Sequence, residues 1–163
     1  MSDTEHTSDR APLMGLLDAA TEAYLGQFRR ELDDAGYADI RPTHGCVFRF
    51  VRDDGMRLTE LAAHADMTKQ SVGEIVDDLV EHGYVERFPD PEDRRAKLIR
   101  LTEKGVQAQR VGFGLIHEIE GHWAERFGSE RVAELRETLE EIVGELAPHA
   151  VPELAAREPA GAA

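Results

Sequence analysis

The 163-residue sequence is poor in cysteine and has no long hydrophobic run. Its single cysteine, Cys46, excludes a disulfide within the chain and fits a reducing compartment. No stretch of about 18 apolar residues is present that could cross a membrane. The opening MSDTEHTSDRAP is polar and acidic, without the basic start and apolar run of a secretion signal. We therefore expect a cytoplasmic protein.

Positive charge is also scarce. Lys and Arg total 19 against 33 Asp and Glu, and the net charge of -14 argues against a nucleic-acid partner, whose phosphates attract cations. The distribution of charge along the chain nevertheless favours a nucleic-acid partner. Segments 12–40 and 129–147 each carry two Arg against six acidic residues, whereas segment 94–100, RRAKLIR, carries four positive charges and no negative one. Because salt screens charges beyond about 10 Å, this local cluster can act on a phosphate despite the acidic remainder.

Motifs of enzymes and cofactor sites are missing as well. The sequence has no glycine-rich phosphate loop, no nucleophile elbow and no carboxylate pair placed around a pocket, so we expect neither catalysis nor a cofactor. His117 and His122 are five residues apart, which is not the spacing of a zinc-binding helix. Cys46 has no second cysteine to resolve an oxidised thiol. A metal or redox switch is therefore only a third alternative for the function.

The chain is organised around residues 58–105. Apolar residues recur there at helical spacing between Thr68, which can cap a helix start, and Gly83, which can end a helix. They are Val72, Ile75, Val76 and Leu79. A shorter helix is predicted at about 59–65, and the tight link after it leaves Met67 to fill the corner. The two helices together predict a helix-turn-helix.

After Gly83 the hydrophobic period changes. Residues 84–88 and 98–101 are predicted to form two strands joined by a charged loop, which is a β-wing. The motifs LTELA, TKQSV, GYVER and PDPEDRRAKLIRLTEKG resemble the MarR-type winged-helix transcription regulators, most closely over residues 58–105. The resemblance implies a mainly α fold with a small β-wing, in which a winged helix-turn-helix is combined with long N- and C-terminal dimerisation helices.

Helical patterns flank the winged region on both sides. We expect dimerisation helices at 12–36 and 103–147, and a further helix at 40–54. The expected domain organisation is a disordered arm at 1–11, one domain at 12–147 and a flexible tail at 148–163. The apolar faces of the terminal helices exceed what a winged-helix core can cover, so we predict that they pair with a second chain in a two-fold homodimer.

The start of the second helix of the helix-turn-helix supplies the first group of candidate DNA contacts, because only the first two turns of such a helix reach base edges. The candidates are Thr68, Lys69, Gln70, Ser71, Gly73 and Glu74. Gln70 can pair with adenine and Glu74 can accept from a cytosine amino group. The alternative is an ordinary solvated helix face. Asp77, Asp78 and Glu81 would repel phosphates, so we expect them to point away from the DNA backbone.

The wing tip supplies the second group. By resemblance, Asp93 and Arg95 match the family's D-x-R motif, in which the arginine enters the minor groove and the aspartate helps to hold it. A narrow minor groove has a negative potential that attracts a guanidinium. Arg94 and Lys97 would contact phosphates. A charged hairpin tip can also be only a solubilising loop, and this alternative stays open on sequence alone.

The resembled family often binds small aromatic or anionic molecules in a cleft between the dimer helices and the DNA-reading part. The candidates for such a cleft are Tyr24, Phe28, His44, Phe48, Phe113 and His117, although aromatic residues at helical spacing also suit a plain core. We therefore predict a homodimeric, sequence-specific DNA-binding regulator that represses pseudo-palindromic operators and responds to a small ligand. The main alternative is a winged-helix protein-interaction module without DNA binding.

Overall fold

A computed structural model of the chain describes residues 10–93 and 95–147. The elements in these ranges are α1 (Leu13–Asp34), a 3-10 helix (Pro42–His44), α2 (Gly45–Phe50), β1 (Met56–Arg57), α3 (Leu58–His64), α4 (Lys69–Glu81), β2 (Val85–Pro89), β3 (Lys97–Leu101), α5 (Glu103–Phe127) and α6 (Ser129–Leu146). No helix of these ranges is long and apolar enough to cross a membrane. The tail predicted at 148–163, and all of the predicted arm except its last two residues, lie outside the described residues.

Both predicted ends of α4 are confirmed. The Thr68 hydroxyl accepts a hydrogen bond from the Ser71 N–H at 3.1 Å, which satisfies one of the free donors at the helix start. At the other end Gly83 has a φ of +76°. There the Tyr84 N–H donates to the Leu79 carbonyl at 2.9 Å, which closes the helix in the manner of a Schellman motif. Bonds between residues close in the chain thus mark both ends of this helix.

The helix-turn-helix of α3 and α4 is also confirmed, but the prediction for Met67 is wrong. The Met67 side chain is 38% exposed and does not fill the corner. The turn is made by the backbone instead, because the Met67 N–H donates to the Ala62 carbonyl at 3.0 Å and Asp66 adopts a positive φ of 49°. An aspartate tolerates this conformation better than most residues. The link therefore needs no apolar plug.

The single helix predicted over 40–54 is replaced by shorter elements. The 3-10 helix and α2 end at Phe50, and a turn through Gly55, whose φ is +93°, leads into β1. Strand β1 pairs antiparallel with β3, with Met56 opposite Ile99. A strand of two residues is too short to show an alternating pattern, which explains why the sequence did not predict it.

The sheet has the order β1-β3-β2 and is antiparallel throughout. Its β2–β3 hairpin runs from the pair Val85 and Leu101 to the pair Pro89 and Lys97 at the wing. The inner side of the sheet and the apolar face of α4 share one core. Its fully or almost fully buried members include Val72, Val76, Leu79, Tyr84, Val85 and Ile99. The predicted fold class, mainly α with a small β-wing, is confirmed.

The terminal helices leave apolar surface uncovered in the single chain. Helix α5 packs against both α1 and α6. None of the residues of α6 is buried, and Leu135 and Ile142 are 48% and 40% exposed. Leu13 and Leu16 of α1 are 65% and 53% exposed. The excess of apolar surface inferred from the sequence is therefore present in the folded chain.

Gly105 fixes how closely α5 approaches the sheet, and its substitution tests the packing. A Cβ at Gly105 would lie 2.0 Å from the Tyr84 carbonyl oxygen, which the Thr102 N–H already holds at 2.9 Å. We expect Gly105→Ala to lower the free energy of unfolding by about 1–3 kcal/mol because backbone atoms must move. Gly114→Ala is the control, since a Cβ there meets nothing within 4 Å and should stabilise the same helix by about 0.5–1 kcal/mol. Urea denaturation at one protein concentration measures the free energy of unfolding of both variants. Equal changes in the two variants would contradict the close approach of α5 to the sheet at Gly105.

Candidate nucleic-acid interface

The first two turns of α4 present an exposed polar surface. Lys69, Gln70 and Glu74 are exposed, and Ser71 and Gly73 are partly buried. The amide Nε2 of Gln70 donates to the Glu74 carboxylate at 3.3 Å, so the two predicted base readers contact each other in the free protein. To contact a base, Gln70 or Glu74 would have to break this weak hydrogen bond and form one to DNA instead. The roles of these residues toward DNA remain predictions.

Two of the candidate side chains are engaged in holding the helix start. The hydroxyls of Thr68 and Ser71 lie 2.8 Å apart, in addition to the capping bond of Thr68. A Cβ at Gly73 would lie 3.7 Å from Leu58 of α3, an ordinary contact distance. Thr68 and Ser71 therefore set the position of the helix, and contact with DNA would have to use the remaining lone pairs of their hydroxyls.

Two acidic residues further along α4, Asp77 and Asp78, have partners within the protein. Asp77 accepts a hydrogen bond of 2.5 Å from Arg87 of β2. Asp78 is only 23% exposed, and its Oδ2 lies 2.9 Å from Nε2 of the buried His44. Pairing of this kind reduces the repulsion that free carboxylates would exert on a phosphate backbone. These contacts also connect α4 to β2, through Arg87, and to the 3-10 helix, through His44.

At the wing tip, Asp93 shapes the backbone that carries Arg95. Its carboxylate Oδ1 accepts the Arg95 N–H at 3.1 Å, and its carbonyl oxygen accepts the Ala96 N–H at 2.9 Å. The aspartate of the D-x-R motif is thus bonded to the main chain of the arginine. Arg95 and Lys97 are exposed, and Arg94 lies outside the described residues.

An ion pair at the base of the wing, between the exposed Arg57 and the nearly buried Asp90, was missed by the sequence analysis. Arg57 of β1 donates to Asp90 Oδ2 from Nε at 2.9 Å and from Nη2 at 2.6 Å, and Asp90 is 5% exposed. The other oxygen, Oδ1, accepts the Glu92 N–H at 2.9 Å. This N–H and the Arg57 guanidinium hold the pKa of Asp90 below its usual range. The partners are 33 residues apart, so no spacing signal could have connected them.

A cavity of about 260 Å³ lies between α1, α2 and α5. Four of the six residues predicted for a ligand cleft line it, namely Tyr24, Phe28, Phe48 and Phe113. His44 does not, because it is 2% exposed and turned toward Asp78, and His117 lies exposed on α5 outside the lining. Arg41 and Gln109 also line the cavity and were not predicted.

The features that suggested redox or metal chemistry gain no support from the geometry. Cys46 is half-buried, its Sγ lies 3.3 Å from the Thr43 carbonyl oxygen, and burial raises the pKa of its thiol, which disfavours the reactive thiolate. Within residues 10–93 and 95–147, no three or more His, Cys, Asp or Glu side chains are grouped so that they could hold a metal ion.

A capped helix with an exposed polar start, followed by a hairpin with a cationic tip, defines the class of winged helix-turn-helix proteins. Comparison with known proteins agrees with this class. The sequence profile of the MarR family matches residues 38–96. The crystal structure of transcriptional regulator PA4135 is 31% identical, covers 82% of this chain and 96% of that chain, and superposes with a TM-score of 0.62. The chain belongs to the MarR family of transcription regulators.

Two further relatives differ more. A mutant of S. aureus MepR, solved bound to an oligodeoxyribonucleotide, is 18% identical, covers 84% of this chain and 99% of that chain, and has a TM-score of 0.59. The exopolysaccharide II synthesis transcriptional activator ExpG of Rhizobium meliloti is 26% identical over 95 residues, which are 58% of this chain and 49% of that protein. The chain spans about half the length of the curated relatives it matches. The curated relatives are named as transcription regulators or activators, not as enzymes.

The pair of Arg57 and Asp90 should set the rigidity of the wing. We expect Asp90→Asn to speed hydrogen exchange at the Ala96 and Asp90 N–H groups by about 5- to 10-fold, because the neutral amide no longer attracts the guanidinium. Glu92→Gln removes the same charge from the same turn and keeps the Glu92 N–H bonded to Asp90, so exchange should stay unchanged. Equal exchange rates in the two variants would show that the pair does not hold the wing.

Proposed function

We propose that this protein is a homodimeric, sequence-specific DNA-binding repressor that reads a pseudo-palindromic operator and responds to a small ligand. The observation that carries the proposal is the combination of an exposed, well-capped α4 with a wing whose cationic tip is fixed at its base. Membership of the MarR family supports it, as does the oligodeoxyribonucleotide bound to the MepR mutant of the same fold. A regulator of this kind works where the DNA is, so we expect it in the cytoplasm.

DNA binding would depend on the wing more than in a basic relative. The chain has a net charge of -14, and the end of α4 carries Asp77, Asp78 and Glu81. Among the residues predicted to contact DNA, the cations are Lys69 at the helix start and Arg94, Arg95 and Lys97 at the wing tip. Arg95 is suited to a narrow minor groove, where the negative potential favours a guanidinium. Lys97 would add a phosphate contact beside it.

A dimer would cover the apolar surface of the terminal helices. On α6, Leu135, Leu139 and Ile142 lie on one stripe of the helix and are 36% to 48% exposed. Burial of such a stripe against its symmetry mate is the usual way in which a two-fold dimer is stabilised. Two copies of α4 would then face two inverted half-sites about one helical turn apart on the DNA.

The cavity between α1, α2 and α5 is the proposed ligand site. The cavity is bordered by α1 and α5, which belong to the proposed dimer interface, and by α2, which leads toward the helix-turn-helix of α3 and α4. Its aromatic lining suits a small molecule with a flat apolar body. The two helix-turn-helix regions of the dimer could adopt more than one spacing. A ligand that binds one spacing better than another would shift the affinity of the dimer for the operator.

Salt dependence separates DNA reading from a protein-interaction role. Selection from random duplexes should yield an inverted repeat, and affinity for it should fall steeply with salt. We expect Arg95→Ala to weaken this binding by about 10- to 100-fold and to reduce the salt slope. Arg110→Ala, which removes the same charge from the exposed side of α5, should change affinity little. Fluorescence anisotropy measures both. The absence of any sequence-preferring binding at low salt would contradict the proposed function.

The oligomeric state tests the role of α6. Leu139→Glu places a charge in the apolar stripe and should convert the dimer to a monomer at micromolar concentration, as measured by analytical ultracentrifugation. Ala133→Glu adds the same charge on the opposite side of the helix, where it should leave the dimer intact. If both variants, or neither, dissociate, the stripe is not the interface.

A further inference from the structure

The end of α4 and the start of α5 are bonded to each other directly. The Thr102 hydroxyl accepts the Gly105 N–H at 3.1 Å, which caps α5, and donates to the Gly83 carbonyl at 2.6 Å. In the first turn of α5, the Nζ of Lys104 donates to the His82 carbonyl at 2.9 Å. The last carbonyls of a helix have no partner within the helix, so these bonds satisfy acceptors at the end of α4 that would otherwise need water.

Lys104 occupies a position that is unfavourable for its own helix. The first turn of a helix favours acidic side chains, because the partial positive charge of the helix dipole lies there, and Glu103 follows this rule. A cation is favourable at the C-terminal end of a helix instead, and the ammonium group of Lys104 reaches that end of α4. The charge of Lys104 therefore stabilises the end of α4 and not the start of α5.

Two further groups keep the ammonium of Lys104 in place. Its Nζ lies 4.0 Å from the ring centroid of Tyr84, which is 1% exposed, and 3.8 Å from Oδ2 of Asp39. The other carboxylate oxygen, Oδ1, accepts the Tyr84 hydroxyl at 2.6 Å. Burial and this hydrogen bond raise the pKa of Tyr84, so its phenol stays a neutral donor. Because the Tyr84 ring belongs to the shared core, the ammonium has a fixed support.

The contact lies at the end of α4 opposite to the predicted DNA contacts. Helix α4 has 13 residues, which makes it about 20 Å long. Salt screens charges beyond about 10 Å, so the charge of Lys104 adds little attraction for a phosphate at the helix start. Its effect there is geometric. A tilt of α4 by about 10° at its C-terminal end moves its start by about 3 Å, which is more than a hydrogen bond to a base tolerates.

We infer that Lys104 is a positioning residue for DNA reading, which fixes the direction of α4 relative to α5 and thereby the spacing of half-sites that the dimer accepts. This inference rests on the proposed function in taking the protein as a dimer that reads two half-sites. Helix α5 has 25 residues and packs against α1 and α6, so it connects Lys104 to the proposed dimer interface. Without the bond from Lys104, the two copies of α4 would take a wider range of separations.

Operators of altered spacing test the role of Lys104. The probes are the inverted repeat selected from random duplexes, the same repeat with one base pair inserted between its half-sites, and a duplex of unrelated sequence. Lys104→Met keeps the length and helix propensity of the side chain but removes its charge and its donor. We expect it to reduce the preference for the native spacing about 5- to 20-fold in fluorescence anisotropy. Binding to the unrelated duplex and the salt slope should stay unchanged, because no phosphate contact is lost.

Two further substitutions make the outcome specific. Lys104→Arg keeps a charged donor over the Tyr84 ring and should retain the preference to within about two-fold of the wild type. Arg110→Met removes a cation from an exposed position of the same helix and should leave the preference unchanged. A Lys104→Met variant that keeps the wild-type preference, or that loses affinity equally for all three duplexes, would overturn the inference. Equal loss together with a smaller salt slope would make Lys104 a phosphate contact instead.

A measurement without DNA separates this inference from the proposed function. Hydrogen exchange at the Gly83 and Tyr84 N–H groups, which donate to carbonyls of α4, should be about 3- to 10-fold faster in Lys104→Met and unchanged in Arg110→Met. If the wild-type protein recognises no DNA sequence, the proposed function fails, and faster exchange still shows that Lys104 holds the end of α4. If DNA is recognised with the predicted dependence on Arg95 while the spacing preference is independent of Lys104, the function stands and the inference fails. Thermal melts confirm that each variant is folded.

Discussion

Internal pairing with arginines partly balances the carboxylates around α4 and the wing of this acidic chain. Asp77 is bound by Arg87 and Asp90 by Arg57, each from a neighbouring strand. Exposed ion pairs contribute only about 0–1 kcal/mol to folding, so the effect of such pairs is mainly positional. Each paired carboxylate thus has its charge partly balanced close by.

The main chain that leads into Arg95 is held at two places. Asp93 binds the Arg95 N–H at the turn, and Asp90 is bonded to Arg57 and to the Glu92 N–H at the base of the wing. These contacts order the main chain and leave the guanidinium exposed. The nearly buried carboxylate of Asp90 can be tolerated at the base of the hairpin because it is fully partnered.

An interaction could be predicted from the sequence when its partners lie close together along the chain. Thr68 and Gly83 end α4 through bonds within five residues, so the residue types alone indicated both ends. The wing hairpin followed from two alternating segments separated by a turn. The pair of Arg57 and Asp90 depends on β1 joining β3, and a strand of two residues has no detectable period. The cavity likewise lies between helices from separate parts of the chain, so the sequence indicated only its aromatic lining residues.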